Sequence, residues 1–270
     1  MVGNKMKIED YFEEQGSGSP FVFIHGSYAT SSTWKKMIQQ LSEDHRCISI
    51  KLPGHGGAPE ADDFAAPTVE TELTIVQQVV ESLTDEAVLN EPIHLVGHSF
   101  GGVVALAQAL KGNLNLSQVT LFEPVSTWVL DRVGDQEMSD RVQVFLDKYT
   151  QDIANNKPDV YGQVIDFWGQ EGAFASLPDF IKQGMAPLLK NNIRHWDLCA
   201  NIDRGLSDLQ NCAVPIRLVY GDQSNPVARA ICEHLETHIP NSKKYRIEGA
   251  SHFLVTSHAE ECLQALKAEF

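Results

Sequence analysis

Between residues 21 and 122, short strand-like runs alternate with segments of helical spacing, and this alternation restricts the fold more than any other feature of the chain. The runs are residues 21–24, 47–52, 93–96 and 119–122, rich in Phe, Val, Ile and Leu. Between them, residues 30–41 put Trp34, Met37, Ile38 and Leu41 on one helical face, and residues 69–83 do the same with Leu73, Val76, Val80 and Leu83. Residues 99–110 read as a third helix. Strands without regular polar alternation are buried on both faces, so helices must cover both sides of a mostly parallel, doubly wound α/β sheet. A further strand is expected over residues 8–14, followed by a turn at Gly16-Ser17-Gly18-Ser19-Pro20. From Ser126 to about Asn211 no strand is legible. The alternation then resumes with strands at 216–220 and 244–247 and helices at 227–238 and 259–268. The expectation is a core domain from residues 1–125 and 212–270, carrying a helical lid or cap at 126–211.

Composition excludes several function classes. The chain has 270 residues, with 36 Asp and Glu against 21 Lys and Arg, a formal charge of −15. A nucleic-acid binder needs a basic face, and no Lys/Arg cluster supplies one; attraction to an anionic membrane is disfavoured in the same way. No apolar run approaches the roughly 18 residues needed to span a bilayer. Residues 1–10 carry no apolar leader segment. The cysteines (Cys47, Cys199, Cys212, Cys232 and Cys262) are odd in number and form no C-x-x-C pair. Reduced thiols and a cytoplasmic location are therefore expected. No cofactor motif is present, neither G-x-G-x-x-G nor Gly-Lys-Ser/Thr. His234 and His238 stand one helical turn apart, but no third ligand accompanies them, so no metal site is expected.

The sharpest local feature is Gly97-His98-Ser99-Phe100-Gly101-Gly102, preceded by an apolar strand and followed by a helix. G-x-S-x-G in that setting is a nucleophile elbow. A serine on so tight a strand-to-helix turn is conformationally strained, and the residues two before and two after it must be tiny. The hydroxyl of Ser99 then points above the sheet edge, at the positive end of the new helix.

With this elbow, His25-Gly26-Ser27 after an early strand, Pro53-Gly54-His55-Gly56 after the next, and Gly249-Ala250-Ser251-His252 near the end, the chain resembles the α/β-hydrolase family over nearly its whole length. The resemblance implies the α/β-hydrolase fold, with Ser99 as nucleophile and His252 as general base. It also implies an oxyanion hole made by the backbone N–H groups of Ser27 and Phe100. The third triad member is displaced. The family's usual acid would fall at Ser224, so the candidates are Glu123, at the end of the strand before the insertion, and Asp222. Glu123 is preferred, because a buried carboxylate there needs a partner. Tyr28, Trp128, Phe167, Trp168 and Phe174 are expected to line the substrate pocket. The implied activity is hydrolysis of a small or medium, apolar carboxylic ester through an acyl-enzyme, with a small-molecule substrate and no cofactor. The alternatives are a weakly catalytic binding protein, an acyltransferase or a C–C bond hydrolase. Dehalogenase and epoxide hydrolase chemistry are disfavoured, since those relatives carry Asp where Ser99 stands.

Overall fold

The computed structural model describes residues 7–83 and 91–270. Residues 1–6, part of the stretch read as lacking a leader, lie outside the described residues. Seven strands form one sheet: β1 Phe12–Gln15, β2 Ser19–Ile24, β3 His45–Ile50, β4 Ile93–His98, β5 Leu116–Phe122, β6 Ile216–Gly221 and β7 Ser242–Ile247. Their spatial order is β1-β3-β2-β4-β5-β6-β7. β1 runs antiparallel to β3, and every other neighbouring pair is parallel.

The two faces follow from the strand period of two. Val22, Ile24, Leu95, Leu121 and Leu218 point into one apolar layer, while Phe21, Phe23, Val96, Phe122 and Val219 point into the other. Helices α1 Lys35–Leu41, α2 Glu70–Ser82 and α3 Phe100–Lys111 connect the early strands. Between β5 and β6 the chain is helical: α4 Trp128–Val133, α5 Gln136–Ala154, α6 Gly162–Trp168, α7 Asp179–Met185, α8 Leu189–Ala200 and α9 Leu206–Gln210. The chain closes with α10 Pro226–His238, α11 Leu254–Ser257 and α12 Ala259–Lys267. Residues of α2, α3 and α10 cover the first layer, and those of α1, α11 and α12 cover the second. Among the described residues, no helix is long and apolar enough to cross a membrane.

Two early expectations need correction. Residues 8–11 form a 3-10 turn, with Glu9 and Asp10 in its first turn and Tyr11 buried. Carboxylates favour a helix start, and they outweigh the strand-like spacing here. The helix expected from residue 30 begins as a 3-10 turn at Ser31–Trp34, because the Thr30 side chain accepts the Ser32 N–H and fixes that entry.

Polar side-chain contacts fasten the helical stretch to the helices and loop that flank the sheet. Arg194 on α8 is 2% exposed and donates to Asp63 Oδ2 at 2.7 Å, to both oxygens of Glu72 on α2, and to the Thr68 carbonyl. At the other end, Asp135 accepts the Met138 N–H as the cap of α5 and lies 2.8 Å from His234 on α10. His238 binds the His234 carbonyl, so the two histidines on α10 serve packing and pairing.

The elbow needs its glycines. A Cβ on Gly97 would stand 2.3 Å from the Gly101 carbonyl oxygen, and one on Gly101 would stand 2.1 Å from that of Ile24. Both obstacles are backbone and cannot turn aside. Gly101→Ala should therefore destabilise the fold at or beyond the upper end of the ~1–3 kcal/mol typical of overpacking. Chemical denaturation should show a lower midpoint with an unchanged slope.

Candidate active site

Ser99 lies between β4 and α3 with φ 55°, a left-handed conformation rare for a residue with a side chain. The Ser99 N–H donates to the Phe122 carbonyl at 3.0 Å, which ties the elbow to the end of β5. One residue further, Glu123 also has positive φ, 44°, and its N–H donates to the Val219 carbonyl of β6. These bonds hold the ends of β4, β5 and β6 in one place, and His252 reaches the same place from the turn after β7.

The resulting geometry is continuous. His252 Nε2 is 3.0 Å from Ser99 Oγ, and His252 Nδ1 is 2.9 Å from Glu123 Oε2. Ser99 is 8% exposed, His252 3% and Glu123 0%. The other oxygen of Glu123 accepts the Gly221 N–H at 2.8 Å and the Ser224 hydroxyl. The buried carboxylate thus has three partners, as its desolvation requires. Ser224, where the resemblance places an acid, instead donates to Glu123 at the end of the neighbouring strand. Asp222 is directed away; its Oδ1 accepts the Gly249 N–H at 2.8 Å.

The surrounding histidines are neutral braces. Burial pushes His98 down to about 3, so its Nε2–H donates to the His252 carbonyl at 2.8 Å. Burial does the same to His25, which bonds the Gly26 carbonyl and accepts the Leu52 N–H. His55 bonds the Pro53 carbonyl. The N–H groups of Ser27 and Phe100 make no hydrogen bond among the described residues. A histidine that sequence reasoning missed grips both: His195 on α8 lies 2.7 Å from the Ser27 hydroxyl, and its ring stacks on Phe100 at 3.7 Å.

Over Ser99 opens a cavity of about 460 Å³. Val125, Val164, Ile165, Trp168, Met185 and Trp196 form much of its wall, and among the described residues no Asp, Glu, Lys or Arg lines it. Tyr28 and Trp168 line it, with Trp168 stacked on the His252 ring at 5.5 Å. Trp128, Phe167 and Phe174 do not. Trp128 is packed in the core, Phe167 stacks on Phe145 at 4.3 Å, and Phe174 packs edge-on against Tyr161 at 5.6 Å. The phase of α6 explains the exchange: Val164, Ile165 and Trp168 share one face, and Phe167 falls on another. On α8 the wall residues Asn192, His195, Trp196 and Cys199 recur at helical spacing. That period was the available signal for His195.

The family model described as "Alpha/beta hydrolase family" matches residues 21–265. The chain belongs to the alpha/beta hydrolase family. This alpha/beta hydrolase is 25% identical over 264 residues to a pimeloyl-[acyl-carrier protein] methyl ester esterase of Aeromonas salmonicida, covering 94% of this chain and 96% of that one. It is 31% identical over 158 residues to a putative 2-succinyl-6-hydroxy-2,4-cyclohexadiene-1-carboxylate synthase of Haemophilus influenzae. That match spans 58% of each chain. Among solved structures, a bromoperoxidase from Bacillus anthracis superposes with a TM-score of 0.73 at 21% identity, covering 97% of this chain and 96% of that one. At that identity the superposition shows the alpha/beta hydrolase fold and nothing finer.

Proposed function

We propose that the chain is a serine hydrolase that cleaves a small or medium, uncharged carboxylic ester through an acyl-enzyme. The observation that carries the reading is the line from Glu123 through His252 to Ser99, at 2.9 and 3.0 Å, ending beneath an apolar cavity. Serine is a weak nucleophile until a base takes its proton. In the proposed reaction His252 Nε2 accepts that proton as Ser99 Oγ bonds to the ester carbonyl. Glu123 holds the Nδ1–H tautomer and stabilises the imidazolium. The unengaged N–H groups of Ser27 and Phe100 receive the negative oxygen; removal of one such donor typically costs about 3–4 kcal/mol of barrier. His252 then returns the proton to the departing alcohol oxygen. Water attacks the acyl carbonyl as His252 Nε2 takes one of its protons; the bond to Ser99 Oγ then breaks, His252 returns the proton to that oxygen, and the carboxylic acid leaves. Residues 126–211 act as the lid that keeps this site apolar, over a core made of residues 1–125 and 212–270.

The uncharged lining favours one of the activities named for the relatives. A substrate that carries a carboxylate besides the reacting carbonyl would meet no Lys or Arg among the described residues that line the cavity, and an unpaired buried charge is costly. That supports an ester, as in the name of the Aeromonas salmonicida relative, over the carboxylate in the name of the Haemophilus influenzae relative. A fluorophosphonate probe tests the reading. It should label the wild-type protein at Ser99, with labelling lost in a folded Ser99→Ala variant. A folded wild type that resists the probe would overturn it.

A further inference from the structure

We infer that Asn192 determines specificity, and that the preferred ester carries a second, uncharged hydrogen-bond acceptor remote from the carbonyl that Ser99 attacks. The inference rests on the ester reading above and goes beyond it in naming a feature of the substrate.

The argument starts from the polar groups of the cavity wall. Thr30, Ser32, Thr33 and Thr256 are exposed or half-buried, so bulk water serves them. Ser99, His252, His98, Ser27 and His195 are engaged with one another or with backbone, and the wall nitrogens left without a partner, His98 Nδ1, His195 Nε2 and Trp196 Nε1, are sealed from the cavity. Asn192 differs from both groups. It is only 2% exposed, yet it lines the cavity from α8. Its Oδ1 accepts the Tyr149 hydroxyl at 2.9 Å, and Tyr149 lies 3.2 Å from the Tyr28 hydroxyl. Because Tyr149 donates to Asn192, Tyr28 donates to Tyr149. Burial raises the Tyr149 hydroxyl to about 12 and Tyr28 further still, so both remain protonated at neutral pH. With Oδ1 engaged, Nδ2 has no hydrogen-bond partner among the described residues and is the donor that this cavity-lining side chain has left. Unlike the sealed nitrogens it is accessible, so an apolar substrate that fills the cavity strips it of water without replacing the hydrogen bond, which is costly. A substrate that supplies an acceptor is rewarded over one that does not, which is how a site built on hydrogen bonds discriminates. Asn192 lies one helical turn before His195, the residue bonded to Ser27, so the acceptor belongs some distance from the scissile carbonyl.

Matched ester pairs test this: phenyl 4-oxopentanoate against phenyl pentanoate, and 2-methoxyethyl butanoate against butyl butanoate. In the wild type, kcat/KM should favour the acceptor-bearing member of at least one pair. Asn192→Leu should lower that ratio about five- to ten-fold, the worth of one neutral hydrogen bond. Asn192→Asp keeps an oxygen for Tyr149 but replaces the donor, and should lower the ratio at least as far. Thermal unfolding confirms that each variant is folded. A wild type that hydrolyses the hydrocarbon esters and discriminates within neither pair overturns the inference alone. So does a ratio that is unchanged in a folded variant. A wild type that hydrolyses none of the esters overturns the ester reading, and this inference with it.

Discussion

Glu123→Gln should lower kcat by on the order of 10⁴-fold, the loss seen when a triad carboxylate elsewhere becomes an amide, while Asp222→Asn should stay within about two-fold of wild type. The size follows from the way Glu123 is held. Its Oε1 accepts the Gly221 N–H and the Ser224 hydroxyl, so in a glutamine that position is best filled by the carbonyl oxygen. The amide nitrogen then faces His252 Nδ1, where the carboxylate stood 2.9 Å away. An amide N–H there donates to Nδ1 and drives the ring proton to Nε2. An Nε2–H directed at Ser99 cannot accept the serine proton, so the base is lost while the shape is kept. Steady-state kinetics on a model ester, with KM compared alongside kcat, checks both variants. If Asp222→Asn proves the more damaging, the acid has been misassigned.

Arg194→Met should destabilise the fold by about 3–5 kcal/mol at neutral pH, the cost of removing one partner from a buried ion cluster. Arg194 is 2% exposed and Glu72 1%, and the substitution leaves Glu72 and Asp63 facing each other without a cation. Acid should narrow the deficit. Burial pushes the Asp63 carboxyl up, but hydrogen bonds from Arg194, the Thr68 N–H and the Thr71 hydroxyl outweigh it and hold it at about 2, against 3.8 ordinarily. A carboxyl depressed on folding contributes stability above its unfolded value and loses it as pH falls through the depressed one. The wild type therefore gives up this contribution between about pH 4 and pH 2. Burial raises Glu72, so its sign is opposite: protonation relieves it, most of all once Arg194 is gone. Denaturant unfolding at pH 7 and pH 3 should show a smaller difference between wild type and variant at the lower pH.

The sheet was legible because strand identity depends on local chemistry: the apolar runs at 21–24, 93–96, 119–122 and 216–220 all lie within strands of the sheet. The elbow and the turn carrying His252 were legible for the same reason, since a close backbone approach permits few residues. What escaped the sequence was phase. Nothing local states which face of α6 meets the core, so Phe167 and Trp168 could not be told apart, although only Trp168 reaches the cavity. His195 and Asn192 escaped because their partners, Ser27 and Tyr149, are 168 and 43 residues away along the chain. Glu123 lies between these cases. Ser224 announced that something was missing from the end of β6, but only the pairing of β5 with β6 shows how a carboxylate one strand over reaches the same imidazole.

Among the described residues, five other than glycine hold left-handed φ, and three of them gather at one site: Tyr28 and Ser99 on the cavity wall and Glu123 behind His252. Such a conformation costs about 1–3 kcal/mol per residue, while a whole domain is stable by only about 5–15 kcal/mol. A sizeable part of the folding energy is thus stored as backbone tension around a single serine. Heat resistance and chemical competence must then compete in this molecule. Substitutions that let the strand ends relax should raise the melting temperature and blunt the site together, so a search for tougher variants by stability alone would drift toward well-folded, idle proteins.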